Sequence, residues 1–248
     1  MKKLLTVLLG VLMVLALVGC GAKKEETPVV DEDEPVEEVV TAANTFADYE
    51  AAEIDAELEL LMSVQCAYID YKGNGFVFLQ CDEGATLGYC DGADTELFAK
   101  MTPGTLVKVH GYKSEWSGEL ELGDATYEIV GEGTNYEALD VTDLCGDIEG
   151  LTPAMNEKVS FKALQVKEYK YNWDGSGQRD SSDIYLDVEC PNNADMTFVI
   201  KTGMYDCNSE LFQFVETLES GDLVDIEAFM YWYEGPQPYI NAIAKVAE

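Results

Sequence analysis

Gly104-Thr105-Leu106-Val107-Lys108-Val109-His110-Gly111-Tyr112 and Gly221-Asp222-Leu223-Val224-Asp225-Ile226-Glu227-Ala228-Phe229 are one phrase written twice. Laid over each other at a shift of 117 without a gap, Gly104 meets Gly221, Leu106 meets Leu223 and Val107 meets Val224. Further along, Gly118 meets Gly235 and Ala125 meets Ala242. Upstream, Thr95-Glu96-Leu97-Phe98 matches Ser209-Glu210-Leu211-Phe212 at a shift of 114. The second copy thus gains three residues between this segment and the strand that follows. Self-similarity at a fixed spacing means that one structural unit occurs twice.

Working outward from the phrase, each copy gives the same order of elements. In the first, Leu58, Leu60, Met62, Val64, Cys66 and Tyr68 alternate along a half-buried strand over 56–71. Gly73-Asn74-Gly75 turns it, and 76–81 with 85–90 form a hairpin around Asp82-Glu83-Gly84. A short helix over 94–101 takes Asp94 or Thr95 as its N-cap and stops at Pro103-Gly104. Strands over 105–115 and 119–130 close the unit. The second copy has strands near 158–171, 183–190 and 195–201, a helix over 208–219, and strands near 222–233 and 238–246. Residues 45–53 read as a lead-in helix on the first unit.

Three strands, a helix and two strands is the order of the OB-fold, a five-stranded barrel. With Lys113-Ser114-Glu115-Trp116-Ser117-Gly118 and Tyr231-Trp232-Tyr233-Glu234-Gly235, the chain resembles bacterial lipoproteins with tandem OB-fold-like domains. The resemblance implies a mainly β protein: domain 1 over 46–135 and domain 2 over 136–248. A single sandwich of eight to ten strands is the structural alternative.

The N-terminus reads separately. Lys2 and Lys3 precede an apolar run over Leu4–Val18, and Leu17-Val18-Gly19-Cys20 follows the pattern of a lipobox. This is the layout of a secretory signal peptide over 1–19, too short to span a bilayer comfortably. The resemblance implies lipidation of Cys20, cleavage before it, and an extracytoplasmic protein anchored to the cell membrane. Residues 20–45 hold Pro28, Pro35 and a run of acids, and read as a disordered spacer.

The chain has 15 basic and 48 acidic residues, a formal charge of −33, with Arg179 its only arginine and His110 its only histidine. Such charge favours solubility and repels polyanions, so nucleic acid is expected to be a poor partner. Six cysteines follow Cys20 and allow fifteen pairings, among which the sequence does not choose. The absence of a C-x-x-C pair and of a second histidine argues against zinc. His110 aligns with Glu227, a solvent-facing position. No serine sits in a nucleophile-elbow pattern. Carboxylates are too abundant for any pair to signal a glycosidase. The expectation is therefore not an enzyme.

OB barrels bind on one face, framed by the loops after strand one and between strands four and five. In the second copy these loops are 171–180 and 231–239, rich in rings: Tyr171, Trp173, Tyr231, Trp232, Tyr233 and Tyr239. Rings beside carboxylates and amides suit a saccharide or a peptide, although rings at alternate strand positions also serve plain packing. Within the first loop Asn172, Asp174, Ser176, Gln178, Asp180 and Asp183 fall at the spacing of a calcium loop, with Gly177 at its turn. Asp183 stands where that pattern has Glu, and a polar turn explains the same string. The sequence thus leads to a binding or interaction module, with a saccharide or peptide as ligand. The alternatives are a structural accessory lipoprotein docking another envelope protein, and a nucleic-acid-binding barrel, which the charge disfavours and which requires a local basic groove around residues such as Lys162, Lys167 and Lys170.

Overall fold

The computed structural model describes residues 41–172 and 182–246. Thr45 caps helix α1 (Phe46–Ala51) by a reciprocal pair of bonds with Asp48, which satisfies two amide donors that a helix start leaves open. Strands β1 (Glu57–Ile69), β2 (Gly75–Cys81), β3 (Gly84–Cys90), β4 (Thr105–Trp116) and β5 (Glu119–Glu132) close into a barrel in the order β1-β2-β3-β5-β4. Helix α2 (Thr95–Phe98), capped by Asp94, sends Phe98 into the core beside Val77, Leu79, Val107 and Leu122.

A connection follows with a two-residue strand β6 (Leu139–Asp140), a 3-10 turn over Thr142–Leu144, and helix α3 (Ile148–Leu151). The second sheet holds β7 (Lys158–Tyr171), β8 (Ile184–Glu189), β9 (Asp195–Ile200), β10 (Leu223–Phe229) and β11 (Tyr239–Lys245). Its order is β10-β11-β9-β8-β7-β6, and β10 also pairs with β7. The β9–β11 join rests on the parallel pair Tyr239↔Val199. The chain is thus mainly β, a closed five-stranded barrel and a second OB-like sheet with short helices, and the long-strand, hairpin, helix, hairpin order recurs in both halves.

Helix α4 (Glu210–Val215) is shorter than the span expected over 208–219. Its last turn tightens, with the amides of Thr217 and Leu218 donating three residues back to Phe214 and Val215, and Gly221 at φ +99° then reverses the chain. Strand β10 stops at Phe229 rather than 233, because Met230 leaves the sheet to pair with the 156–157 segment. One disulfide, Cys145–Cys190, ties the connection to the residue after β8. Cys66, Cys81, Cys90 and Cys207 are free thiols.

The two barrels belong to one compact unit, and the seam between them is apolar. Tyr68, Phe78 and Leu87 of the first barrel pack with Val199, Phe229 and Tyr239 of the second. Phe78 and Phe229 stack with centroids 4.7 Å apart, and Tyr239 meets Phe78 edge-on at 6.2 Å. The outward side of β2 and β3 is where an OB barrel ordinarily takes a ligand. In the first barrel that side carries Phe78 and Leu87, and the second barrel covers it. Polar bonds frame the seam: Gln80 Oε1 accepts from the Lys158 amide at 3.3 Å, and the Ser117 carbonyl accepts from the Glu234 amide at 2.7 Å.

The β4–β5 turn shapes the close approach. Ser117 at φ +52° and Gly118 at φ +90° form a two-residue turn with both residues left-handed, the conformation that matches strand twist. A Cβ on Gly118 would sit 3.1 Å from Trp232 Cδ1, so a larger residue would strain the turn and crowd the partner loop.

Candidate functional site

The comparable outer side of the second barrel is covered by the seam at its Tyr185 and Val199 end and open along the rest. A groove of about 980 Å³ lies along β7, β8 and β9, lined by Lys167, Lys170, Asp187, Asp195 and Thr197 and bordered by the 233–237 loop. Period-two alternation puts Asp187, Asp195 and Thr197 outward while Leu186, Val188 and Phe198 fill the core. On β7 a bulge between Val166 and Glu168 breaks the period, so that Lys167 and Lys170 both reach the groove. Lys170 Nζ donates to Asp187 Oδ2 at 2.8 Å, and Lys167 Nζ to Asp195 Oδ1 at 2.8 Å. Thr197 Oγ1 donates to the other Asp187 oxygen at 2.6 Å. These hydrogen bonds raise the pKa of both lysines, so both are cations near neutral pH. Glu168 and Glu234 add negative charge to the same rim, and Gln237 an amide.

The loop from 230 to 238 forms one end of the groove. It folds on itself through Tyr233 N–H to the Gly235 carbonyl at 2.8 Å and Gln237 N–H to the Tyr231 carbonyl at 2.8 Å. Glu234 at φ +54° and Gly235 at φ +140° make the reversal. Tyr233 is 46% exposed and turns its ring toward solvent.

The other rings expected at a ligand site have different surroundings. Trp232 is 7% exposed and Tyr239 5%, both inside packing clusters. Tyr231 stacks on Tyr239 with centroids 4.3 Å apart, beside the seam. Tyr171 is half-buried at the end of β7, where its hydroxyl donates to Glu216 and its ring meets Tyr169 edge-on. Trp173 lies outside the described residues. The structure thus brings Tyr233 to the groove and leaves Tyr231, Trp232 and Tyr239 with the seam and the core.

Of the calcium-loop residues, Asp174, Ser176, Gln178 and Asp180 lie outside the described residues. Asn172 sits at φ +58°, its amide donating to the Asp183 carbonyl at 3.0 Å. The Asp183 carboxylate accepts from Lys201 Nζ at 2.7 Å, Thr202 Oγ1 at 2.6 Å and the Thr202 amide at 2.8 Å. Among the described residues no cluster of three or more His, Cys, Asp or Glu side chains could hold a metal. His110 pairs with Glu57 at 2.8 Å on the surface of the first barrel. Cys20 and the whole of 1–40 also lie outside the described residues, and no described helix is long and apolar enough to cross a membrane.

Of the three lysines that the sequence offers for a basic groove, the structure brings Lys167 and Lys170 to this face and pairs Lys162 with Asp225. What the sequence did not show is that Asp187 and Asp195 pair with Lys170 and Lys167. The signal of the two aspartates was present in the polar alternation of β8 and β9, but it is the signal of any solvated strand face. Glu119, buried at the seam, was missed as well.

No protein-family model and no curated protein matches the chain. Solved structures do. One is a murine DNA-binding protein bound with double-stranded DNA, 12% identical, with 77% of this chain and 97% of that one covered and a TM-score of 0.37. Another is p202 HIN1 in complex with a 12-mer double-stranded DNA, 14% identical, with coverage of 79% and 96% and a TM-score of 0.36. A third is a replication protein A heterotrimer bound to single-stranded DNA, 11% identical, covering 77% of this chain and 49% of that one, with a TM-score of 0.31. The expectation that nucleic acid is a poor partner is corrected by this set, in which similar structures are complexes with DNA. That expectation was drawn from net charge, a whole-chain sum that includes the acids of residues 25–38. Exposed charges are screened beyond about 8 Å at physiological salt, so the composition of a groove, not the sum, decides what it holds.

Proposed function

We propose that this chain is a binding module that receives its ligand on the open face of the second barrel, with single-stranded nucleic acid as the ligand class. The supporting observation is that Lys167 and Lys170 line the groove whose border carries the exposed ring of Tyr233. Cations that track phosphates and a ring on which a base stacks are the two parts of a sequence-tolerant single-strand site. Each lysine is paired with an aspartate, so a phosphate must displace a carboxylate. Binding is therefore weak and steeply salt-dependent. In anisotropy titrations with a labelled oligothymidylate at low salt, Tyr233→Ala is expected to cost about 1–3 kcal/mol. Joint replacement of Lys167 and Lys170 by Ala is expected to flatten the salt slope by about 1–2. Absence of binding to any oligonucleotide at low salt sinks this reading.

A second reading, a saccharide or short peptide, draws on the same groove. Asp187, Asp195 and Glu168 supply acceptors and Gln237 an amide beside the Tyr233 ring. A neutral glycan would bind with little salt dependence, which separates the two readings in the same titration.

The module is further proposed to be displayed outside the membrane on a lipid at Cys20. The Cys145–Cys190 disulfide supports an oxidising compartment. Cys20→Ser is expected to abolish incorporation of a labelled fatty acid and to release the protein into the soluble fraction. Unchanged labelling would remove the anchor.

A further inference from the structure

Glu119, the first residue of β5, is buried with 0% exposure where the two barrels meet. Its Oε2 accepts the Trp232 amide of the second barrel at 2.7 Å. The Asn156 side chain lies against the same carboxyl. Asn156 is 1% exposed, and its Nδ2 donates to the Leu120 carbonyl at 3.0 Å. A carbonyl only accepts, so that bond fixes which end of the amide is which. Two buried oxygens are then left without a partner, Glu119 Oε1 and Asn156 Oδ1. Orphaned buried acceptors are rare and call for a cause. One proton satisfies both: an O–H on Glu119 Oε1 donates to Asn156 Oδ1.

We propose that Glu119 is a neutral carboxylic acid in the folded protein and a proton-dependent latch between the barrels. Protonated, it accepts from Trp232 and donates to Asn156. Deprotonated, it sets a buried negative charge against an acceptor and loosens the seam.

The surrounding ionisable groups agree with the neutral form. Burial pushes the Glu119 carboxyl up to about 8, outweighing the bond from the Trp232 amide. Glu121 on the same strand, itself raised by burial and bonded to Ser114, adds like charge. Tyr49 on α1 and Tyr231 on the 230–238 loop are both raised by burial and couple to Glu119. Lys113 lines the same hollow as Asn156, and its ammonium donates to the carbonyls of Tyr49, Glu50 and Ala52 at 2.8, 3.0 and 2.9 Å. Those three bonds direct its charge to the end of α1.

The direction of the pH effect follows from linkage. The folded state keeps a proton that the unfolded chain releases at the ordinary value of 4.5. The stabilisation is full below that value, declines as pH rises, and is lost on passing through about 8. Acidic self-repulsion gives a slope of the same sign, so a variant must separate the two. Glu119→Gln keeps both bonds: its carbonyl accepts from Trp232 and its amide donates to Asn156 without titrating.

The experiment is a pH series of thermal melts on the full chain and on Glu119→Gln, from about pH 5 to about pH 9. The melting temperature of the parent is expected to fall by several degrees more than that of the variant between about pH 5 and about pH 8, and the two to run parallel above that. Equal slopes overturn the latch. Difference infrared spectra supply a readout independent of the variant's folding. A protonated-carboxyl band is expected at neutral pH and lost in alkali, and its absence at neutral pH overturns the proposal.

Discussion

Phe78→Ala is expected to cost about 3–5 kcal/mol in urea denaturation, the range for truncating a buried aromatic. Phe78 lies on the outward side of β2 with 0% exposure. Its ring stacks on Phe229 at 4.7 Å, with Leu87, Val199 and Tyr239 in the same cluster. A strand residue facing away from its own barrel would ordinarily be a mild site, and a cost below about 1 kcal/mol, typical of a surface change, would mean that the second barrel does not cover it in solution. Phe229→Ala is expected to fall in the same range. The double variant should cost less than the sum by about 0.5–1.5 kcal/mol, the worth of a stacked pair beyond its area. Unfolding should change character as well. With the seam intact the barrels melt as one transition. With Phe78 truncated, the van't Hoff enthalpy should drop below the calorimetric enthalpy as they separate.

The element order was legible because it depends on local signals. Alternation from Leu58 to Tyr68, the Ser117-Gly118 turn and the capped helices act over a few residues, and β4 and β10 start at matching places in the repeat to within one residue. The repeat fails at the last strand. Val107 pairs with Ile129, but its counterpart Val224 pairs with Lys245, one residue short of the ungapped shift. A slip of one residue exchanges the two faces of a strand, which is why Ala125 is buried at 3% while Ala242 is exposed. The nine-residue loop from 230 to 238 in place of a two-residue turn is what allows the slip.

The site was less legible because the seam was invisible. Rings in a loop read the same whether a ligand or a second barrel covers them, so Trp232 and Tyr239 were counted as ligand contacts. One signal did point to the seam. Phe76-Val77-Phe78-Leu79 is a continuous apolar run, the mark of a strand buried on both faces, inside a barrel whose other strands alternate. Glu119 had no such signal, since one buried acid among 48 looks like the rest until the fold removes its water.

Replacing Cys145 and Cys190 together by Ser is expected to lower stability by about 2–4 kcal/mol, the usual worth of a native disulfide. Both residues are replaced so that no lone thiol is left to pair elsewhere. The bond closes a loop with a sequence separation of 45. That loop contains β7, the strand common to the groove wall and the ring closure with β10. In the chain-entropy account the bond acts by restricting the unfolded state, so the variant should keep its folded spectrum while its denaturation midpoint falls. Cys145 is 0% exposed and Cys190 3%, beneath Leu151 and Met196 in the core. Reductant should therefore leave the folded protein oxidised and act only through opening of the second sheet. Trapping of Cys145 and Cys190 by a thiol reagent should follow the unfolding rate rather than the reductant concentration. Fast trapping under native conditions would show that the connection opens on its own. The disulfide would then hold the ends of a mobile segment and not the core. A midpoint unchanged by the double replacement would mean that packing around Leu151 and Met196 already holds the connection in place.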